Sequence, residues 1–446
     1  MKINPVYIFL FLFLLACNDN LDLEPTDSLT PDELLSDPAN LDKLLLGAYA
    51  YADDELAGGF QTATELLADE GNLAYQGIIT PLQAFQRKEI NVDNSFVYEF
   101  WSTAYIAINL CNIVLESLDL EEDPVKRAFF EGEAKFLRGL LYFELARNYA
   151  LPYEPGDRNT QPGVPLVFNG VTDLSELEFP GRNPLEEVYT QAISDLQDAY
   201  ELLPSKNGFR ADRYTARALL ARVYLQQANF ESARDAAHDV LVNSEHELAP
   251  NLAAAFNNES AGVEDILAWQ VTPQDGYNGF NFFWASSDFG GLAPSGILAV
   301  ADPFLDLFSG PDDRASFFYE KTGNRLSAKW QALFANVPYI RVAEMHLIRS
   351  EGNFREGTSL GLPPEEEINI LRARSNAAPL SALTLQDIVD ERRRELAFEG
   401  HRIHDAKRLK EDIDGIPYNA DRLVMPIPQS EIDANPNLEQ NPGYGN

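Results

Sequence analysis

Apolar residues recur along most of this chain at three- and four-residue steps, the spacing that lines one face of a helix. Leu34, Leu41, Leu44, Leu45, Ala48 and Tyr49 predict a first helix to about Tyr51, opened by Thr30 as N-cap, Pro31 at the first position and Glu33 closing a capping box. Gly58-Gly59 breaks that pattern. Further helices are predicted over Phe96–Leu115, Pro124–Tyr149, Pro184–Leu203, Thr215–Gln227, Phe230–Asn243, Ile340–Glu351, Pro364–Arg374 and Thr384–Lys410. Between them, 64–94 shows no sustained period and 151–182 is rich in Pro and Gly. The segment 249–339 reads as a loop-rich insert with β-like pieces such as Ile266 to Val271. Residues 423–446, rich in Pro and Asn, predict an irregular tail held by packing.

Thr215–Gln227 and Phe230–Asn243 form a hairpin around Ala228-Asn229. Its Ala221, Tyr224, Phe230, Ala233 and Ala237 resemble a tetratricopeptide unit, in which small residues let two helices approach and a ring fills the crossing. Comparable pairs fall at 96–149 and 340–374, at an irregular period. The fold class expected is mainly α, with tetratricopeptide-like helix pairs packed against an irregular, loop-rich ligand-binding subdomain.

The N-terminus decides where that body works. Lys2 precedes an apolar run ending in Leu14-Leu15-Ala16-Cys17, followed at once by Asn18-Asp19-Asn20. A spanning helix needs about 20 apolar residues, and this run is too short, so it reads as a signal peptide. The ending resembles a bacterial lipobox, with Leu15 a mild departure, and predicts cleavage after residue 16 and acylation of Cys17. The other reading is an ordinary secretory signal with Cys17 incidental. Residues 1–16 are thus the expected lipoprotein signal peptide and 17–446 the expected mature domain.

The chain carries 45% hydrophobic and 11% aromatic residues, enough for a sizeable core in 446 residues. Its formal charge of −36 repels phosphate backbones, which argues against nucleic acid and against strongly anionic ligands and favours neutral ones. With Cys17 acylated, Cys111 has no partner for a disulfide, and its apolar helical setting predicts a buried, inert thiol.

The most charged stretch, Asp390 to Arg408, places Glu391, Glu395 and Glu399 on one helical stripe among Arg392, Arg393 and Arg394. His401 and His404 share the spacing of some metal sites, but Gly400 interrupts the helix immediately before His401 and the surroundings predict a structural charge network. No nucleophile elbow, phosphate loop, dinucleotide fingerprint or glycosidase carboxylate pair is found, so no catalytic residue, cofactor or metal is assigned. The aromatics Tyr277, Phe280, Phe282, Phe283, Trp284 and Phe289 lie among Gly, Asn and Asp and not at helical spacing. Such rings either stack on sugar C–H faces or pin a loop.

Several motifs resemble the SusD/RagB family of surface lipoproteins of the Bacteroidetes. These are the Trp101 to Asn112 helix, Gly132-Glu-Ala-Lys-Phe-Leu-Arg138 with Gly139 where Ala is usual, Arg213 to Leu225, Glu391 to Arg402 with Asp405 to Arg408, and the ending Met425 to Glu431 with Asn435 to Tyr444. The resemblance spans the mature chain. It implies non-catalytic capture of oligosaccharides at the outer face of the outer membrane, on a lipid anchor, and delivery to a SusC-like TonB-dependent transporter. It also implies that the matching motifs are scaffold and that ligand contacts come from loops, here 69–87 and 277–288. Asp69, Asn72, Tyr75, Arg87, Tyr277, Phe283 and Trp284 are the expected ligand-binding residues. Peptide capture by a RagB-like member is the alternative, and a surface glycoside hydrolase a third.

Overall fold

The computed structural model describes residues 31–156, 158–274 and 278–445. The expected N-cap Thr30, the signal peptide and Cys17 lie outside the described residues. The architecture is mainly α. Helices α1 (Ala39–Leu56), α2 (Gly59–Leu67), α3 (Thr80–Arg87), α4 (Ser95–Glu116), α5 (Pro124–Tyr149), α6 (Leu185–Leu202), α7 (Arg213–Gln226) and α8 (Phe230–Asn243) come first. Strand β1 (Leu73–Tyr75) lies between α2 and α3. After α8 come β2 (Asp265–Trp269), the short helix α9 (Gly279–Trp284), β3 (Leu298–Val300), β4 (Phe318–Lys321), β5 (Asn324–Ser327) and β6 (Val337–Arg341). Helices α10 (Val342–Glu356), α11 (Pro364–Arg374), α12 (Leu385–Glu395) and α13 (Arg402–Leu409) close the body.

Helix starts follow from side-chain caps. Asn94 accepts from Phe96 N at 3.1 Å, Asp123 from Val125 N at 2.9 Å and Asp212 from Thr215 N at 2.9 Å, each satisfying an amide the helix leaves free. The long helices then pack in series, α1 on α4, α4 on α5, α5 on α6, α6 on α7, α7 on α8, α8 on α10 and α10 on α11. Small residues set the closest crossings: Ala216, Ala218 and Ala221 of α7 and Ala233, Ala236 and Ala237 of α8 are fully buried. Arg138 of the Gly132–Arg138 motif grips Asp195 of α6 with Nε and Nη2, both at 2.8 Å, and donates to Asn112 of α4 at 2.9 Å. One residue therefore ties three helices, a scaffold role. Cys111 is buried, and burial pushes its thiol up to about 12.

Three expectations need correction. The predicted first helix divides into a single turn, Pro31–Leu34, and α1, which starts only after Pro38. The predicted helix Thr384–Lys410 is broken into α12 and α13, with Phe398 at φ 66° and Gly400 at φ 85° between them. The break is held from outside. Buried Lys329 donates to the carbonyls of Glu395 at 3.0 Å and Ala397 at 2.9 Å, while Gly400 N donates to Glu65 Oε1 at 2.7 Å. The C-terminal tail also contains a short helix, Gln429–Ala434. The tail is fastened to the end of α5, where Met425 N donates to Asn148 O and Asn441 Nδ2 to Tyr149 O.

Candidate functional site

The two sequence-nominated loops are brought against each other by a close backbone crossing. Gly279 N donates to Ala57 O at 3.1 Å, and a Cβ on Gly58 or Gly279 would strike the opposite backbone. This places α9 on α2 and buries Phe280, Phe283 and Trp284. Trp284 is fully buried and Phe283 is 7% exposed; Phe280 stacks on Trp330 at 4.1 Å. Trp284 Nε1 donates to Thr62 Oγ1 at 2.9 Å, and the ring tilts against Phe398. Phe283 packs on Phe96. Both are core residues, and the expectation that they present a surface to ligand is corrected. Tyr277 lies outside the described residues.

The other nominees scatter. The Asp69 carboxylate accepts from Asn72 N at 2.8 Å and Leu73 N at 3.0 Å, shaping the turn into β1, and burial raises its carboxyl above the ordinary value. Asp69 and Asn72 line a cavity of about 50 Å³ beside Phe398, Arg392 and Arg402, room for a few waters and not for a sugar ring. The Tyr75 hydroxyl donates to Ile79 O at 2.9 Å and accepts from Ile79 N at 3.0 Å, clamping the loop 76–79. Arg87 is exposed in the last turn of α3, and no hydrogen bond among the described residues ties it to the other nominees.

What the fold does assemble is a face around the β4–β5 hairpin. The hairpin turns through Thr322 (φ 50°) and Gly323 (φ 86°), the two-residue geometry that matches strand twist. On one side β1 pairs with β3, Tyr75 opposite Leu298, and Gln76 N donates to Ile297 O at 2.8 Å. The Gln76 and Asn324 side-chain amides then bond each other twice, at 2.9 and 2.7 Å, joining loop 76–79 to the hairpin. On the other side Asp288 pairs with Lys321, Tyr319 OH accepts from Ser286 N at 2.8 Å, and Phe289 meets Tyr319 edge-on at 5.3 Å. Phe289 (42%), Leu292 (46%) and Ile78 (97%) are the large apolar side chains these segments leave exposed. The face thus combines ring edges, a Gln76–Asn324 amide pair that Asn324 Nδ2 also ties to Ser295 O at 3.2 Å, and the Asp288–Lys321 ion pair.

Gln76, Tyr319, Lys321 and Asn324 went unrecognised in the sequence. The signal was the short run Phe318-Tyr-Glu-Lys and its partner Asn324-Arg-Leu-Ser around a Gly-containing turn.

The acidic stripe is buried. Glu395 meets Arg341 and Arg374 and also Arg314, Glu391 pairs with Arg314 and Arg372, and Glu399 with Arg341 and Lys329. Burial acts to raise the Glu395 carboxyl, but the three guanidinium groups hold it far below the ordinary range. His401 lies beside Arg392 and Glu344, and burial lowers it to about 3, so it stays neutral. These groups are consumed by one another.

A family model described as "Starch-binding associating with outer membrane" matches residues 19–225, and a SusD family model matches 325–420 and 409–444. SusD-like protein P2 of Formosa agariphila is 28% identical over 521 aligned residues, covering 99% of this chain and 100% of its own. Starch-binding protein SusD of Bacteroides thetaiotaomicron is 33% identical over 123 residues, 24% of this chain and 22% of that one. Among solved structures, a putative sugar binding protein from Bacteroides vulgatus superposes with a TM-score of 0.81 at 25% identity, covering 92% of this chain and 99% of that one. A SusD superfamily protein from Bacteroides thetaiotaomicron gives 0.79 at 23%, with 91% and 99% covered. With the motifs distributed from Trp101 to Tyr444 and the fold matched nearly end to end, this chain belongs to the SusD/RagB family.

Proposed function

We propose that this protein captures oligosaccharides without cleaving them, as an acylated lipoprotein on the outer face of the outer membrane, and hands them to a SusC-like TonB-dependent transporter. Among the described residues no helix is long and apolar enough to cross a membrane, so membrane attachment on this reading rests on Cys17. Residues 17–446 act as one SusD-like domain, with 249–339 supplying most of the binding loops.

The observation that carries the reading is the face around the β4–β5 hairpin. Phe289 and Tyr319 offer apolar ring surface for sugar C–H groups, and the Gln76–Asn324 amides can exchange their mutual bonds for hydroxyls. The Asp288–Lys321 pair cancels its own charge, which suits a neutral glycan. The carboxylates of Glu391 and Glu395 face guanidinium groups at 2.6 to 3.3 Å, which commits these two groups to structural ion pairs.

Affinity electrophoresis against a panel of neutral and acidic glycans tests this. Retardation by at least one neutral glycan, with no shortening of it on long incubation, is expected. Indifference to every glycan together with tight peptide binding would replace it with the RagB-like reading, and turnover of a glycan by the pure protein with the hydrolase reading.

A further inference from the structure

A groove of about 570 Å³ lies between α4, the segment 171–180 and the C-terminal segment, and it shares no residue with the hairpin face. Its outer wall, residues 172–179, is exposed at every position. This strap is pinned at its ends. Asn109 bonds both backbone groups of Val171, at 2.9 and 2.8 Å, while Asn437 and Asn435 donate to the carbonyls of Phe179 and Pro180 at 2.7 and 2.8 Å. Between the pins Leu174 is 82% exposed, Leu177 46% and Phe179 48%, and Ile106 of α4 facing the same groove is 40% exposed. Four large apolar side chains around one ligand-sized groove mark a surface that binds something.

Charge narrows the occupant. Among the described residues lining the groove none is Lys, Arg or His, and three are acidic: Asp173, Glu178 and Glu431. The Glu431 carboxylate is half-buried, hydrogen-bonded by the Trp101 side chain, and burial raises it above its ordinary value. No ion pair among the described residues reaches it, so a cation brought by an occupant would stabilise it.

We propose that this groove receives a peptide segment of a partner protein that carries apolar anchors beside a Lys or Arg. The anchors pack between Ile106 and the strap, and the cation settles on Glu431. A second copy of this chain is a poor match, since it carries 70 Asp and Glu against 34 Lys and Arg. A neutral sugar finds hydroxyl partners in Ser102, Asn169 and Asn435 but brings no cation for Glu431, and it serves as the competing occupant in the test.

The test is fluorescence anisotropy with the full-length chain and a labelled Lys-Leu-Leu-Lys-Phe-Lys peptide at physiological salt, against a counterpart with Glu in place of each Lys. The basic peptide is expected to bind and the acidic one not. Leu177→Asp, at an exposed position, and Glu431→Gln, which keeps the acceptor for Trp101, are each expected to weaken binding at least tenfold with unfolding midpoints unchanged. Absence of binding, equal binding by wild type and both variants, equal binding of the acidic peptide, or displacement by a neutral oligosaccharide would each overturn the proposal.

Discussion

The Trp284 indole nitrogen donates to Thr62 Oγ1 at 2.9 Å across the crossing of α9 and α2, with Phe398 tilted against the ring. The ring is fully buried, so its work is structural. Trp284→Ala opens a large cavity, leaves the Thr62 hydroxyl with one partner fewer and is expected to cost about 3–5 kcal/mol of stability. Urea unfolding measures it. An unchanged midpoint with lost glycan binding would instead return Trp284 to the ligand surface.

The exposed counterpart is Phe289, edge-on to Tyr319 at 5.3 Å. Phe289→Ala removes a ring that is 42% exposed, so stability is expected to change little while glycan affinity falls by about 1–3 kcal/mol. Asn324→Ala removes one amide of the Gln76 pair and is expected to cost about 1 kcal/mol of affinity. Titration calorimetry against whichever neutral glycan retards the protein checks both.

Much of the scaffold was legible because its helices are long and one-sided. Pro124 opens α5, and the apolar stripe from Phe130 to Leu145 carries it to Tyr149, as the spacing predicts. Helix α9 was not legible, since Phe280, Phe282, Phe283 and Trp284 give its six residues no consistent polar face, and the rings looked like loop aromatics. The site was legible only as two loops. Its chemistry depends on pairs such as Gln76 with Asn324, 248 positions apart, and Asp288 with Lys321, 33 apart, which tertiary contact creates and no local pattern announces. The break between α12 and α13 has the same origin: Gly400 hints at it, but Lys329 and Glu65 hold it from distant segments.

Glu395 provides a test of the buried network. Glu395→Gln leaves Arg341, Arg374 and Arg314 without their shared charge and is expected to destabilise by about 3–5 kcal/mol at neutral pH. The folded carboxyl is held below its unfolded value, so its contribution is fully present above about pH 4 and fades as pH falls toward the folded value. The gap between wild type and variant in urea midpoints is therefore expected to narrow on acidification. A gap independent of pH would mean that Glu395 stabilises through shape and not charge.

Lys407 inverts this sign. It is buried in α13, and burial, with Arg147 nearby, pushes its amine down from 10.5 to about 7. The unfolded chain therefore holds that proton more tightly than the folded one. The resulting penalty on the fold is complete below about pH 7, shrinks as pH rises toward 10.5 and vanishes above it. Lys407→Met keeps the length of the side chain and removes the penalty. It is expected to stabilise by about 3 kcal/mol at pH 6, less at pH 8 and little at pH 10. Chemical unfolding of both proteins at those three values checks it, and a difference that stays constant with pH would show that Lys407 titrates like a solvated lysine.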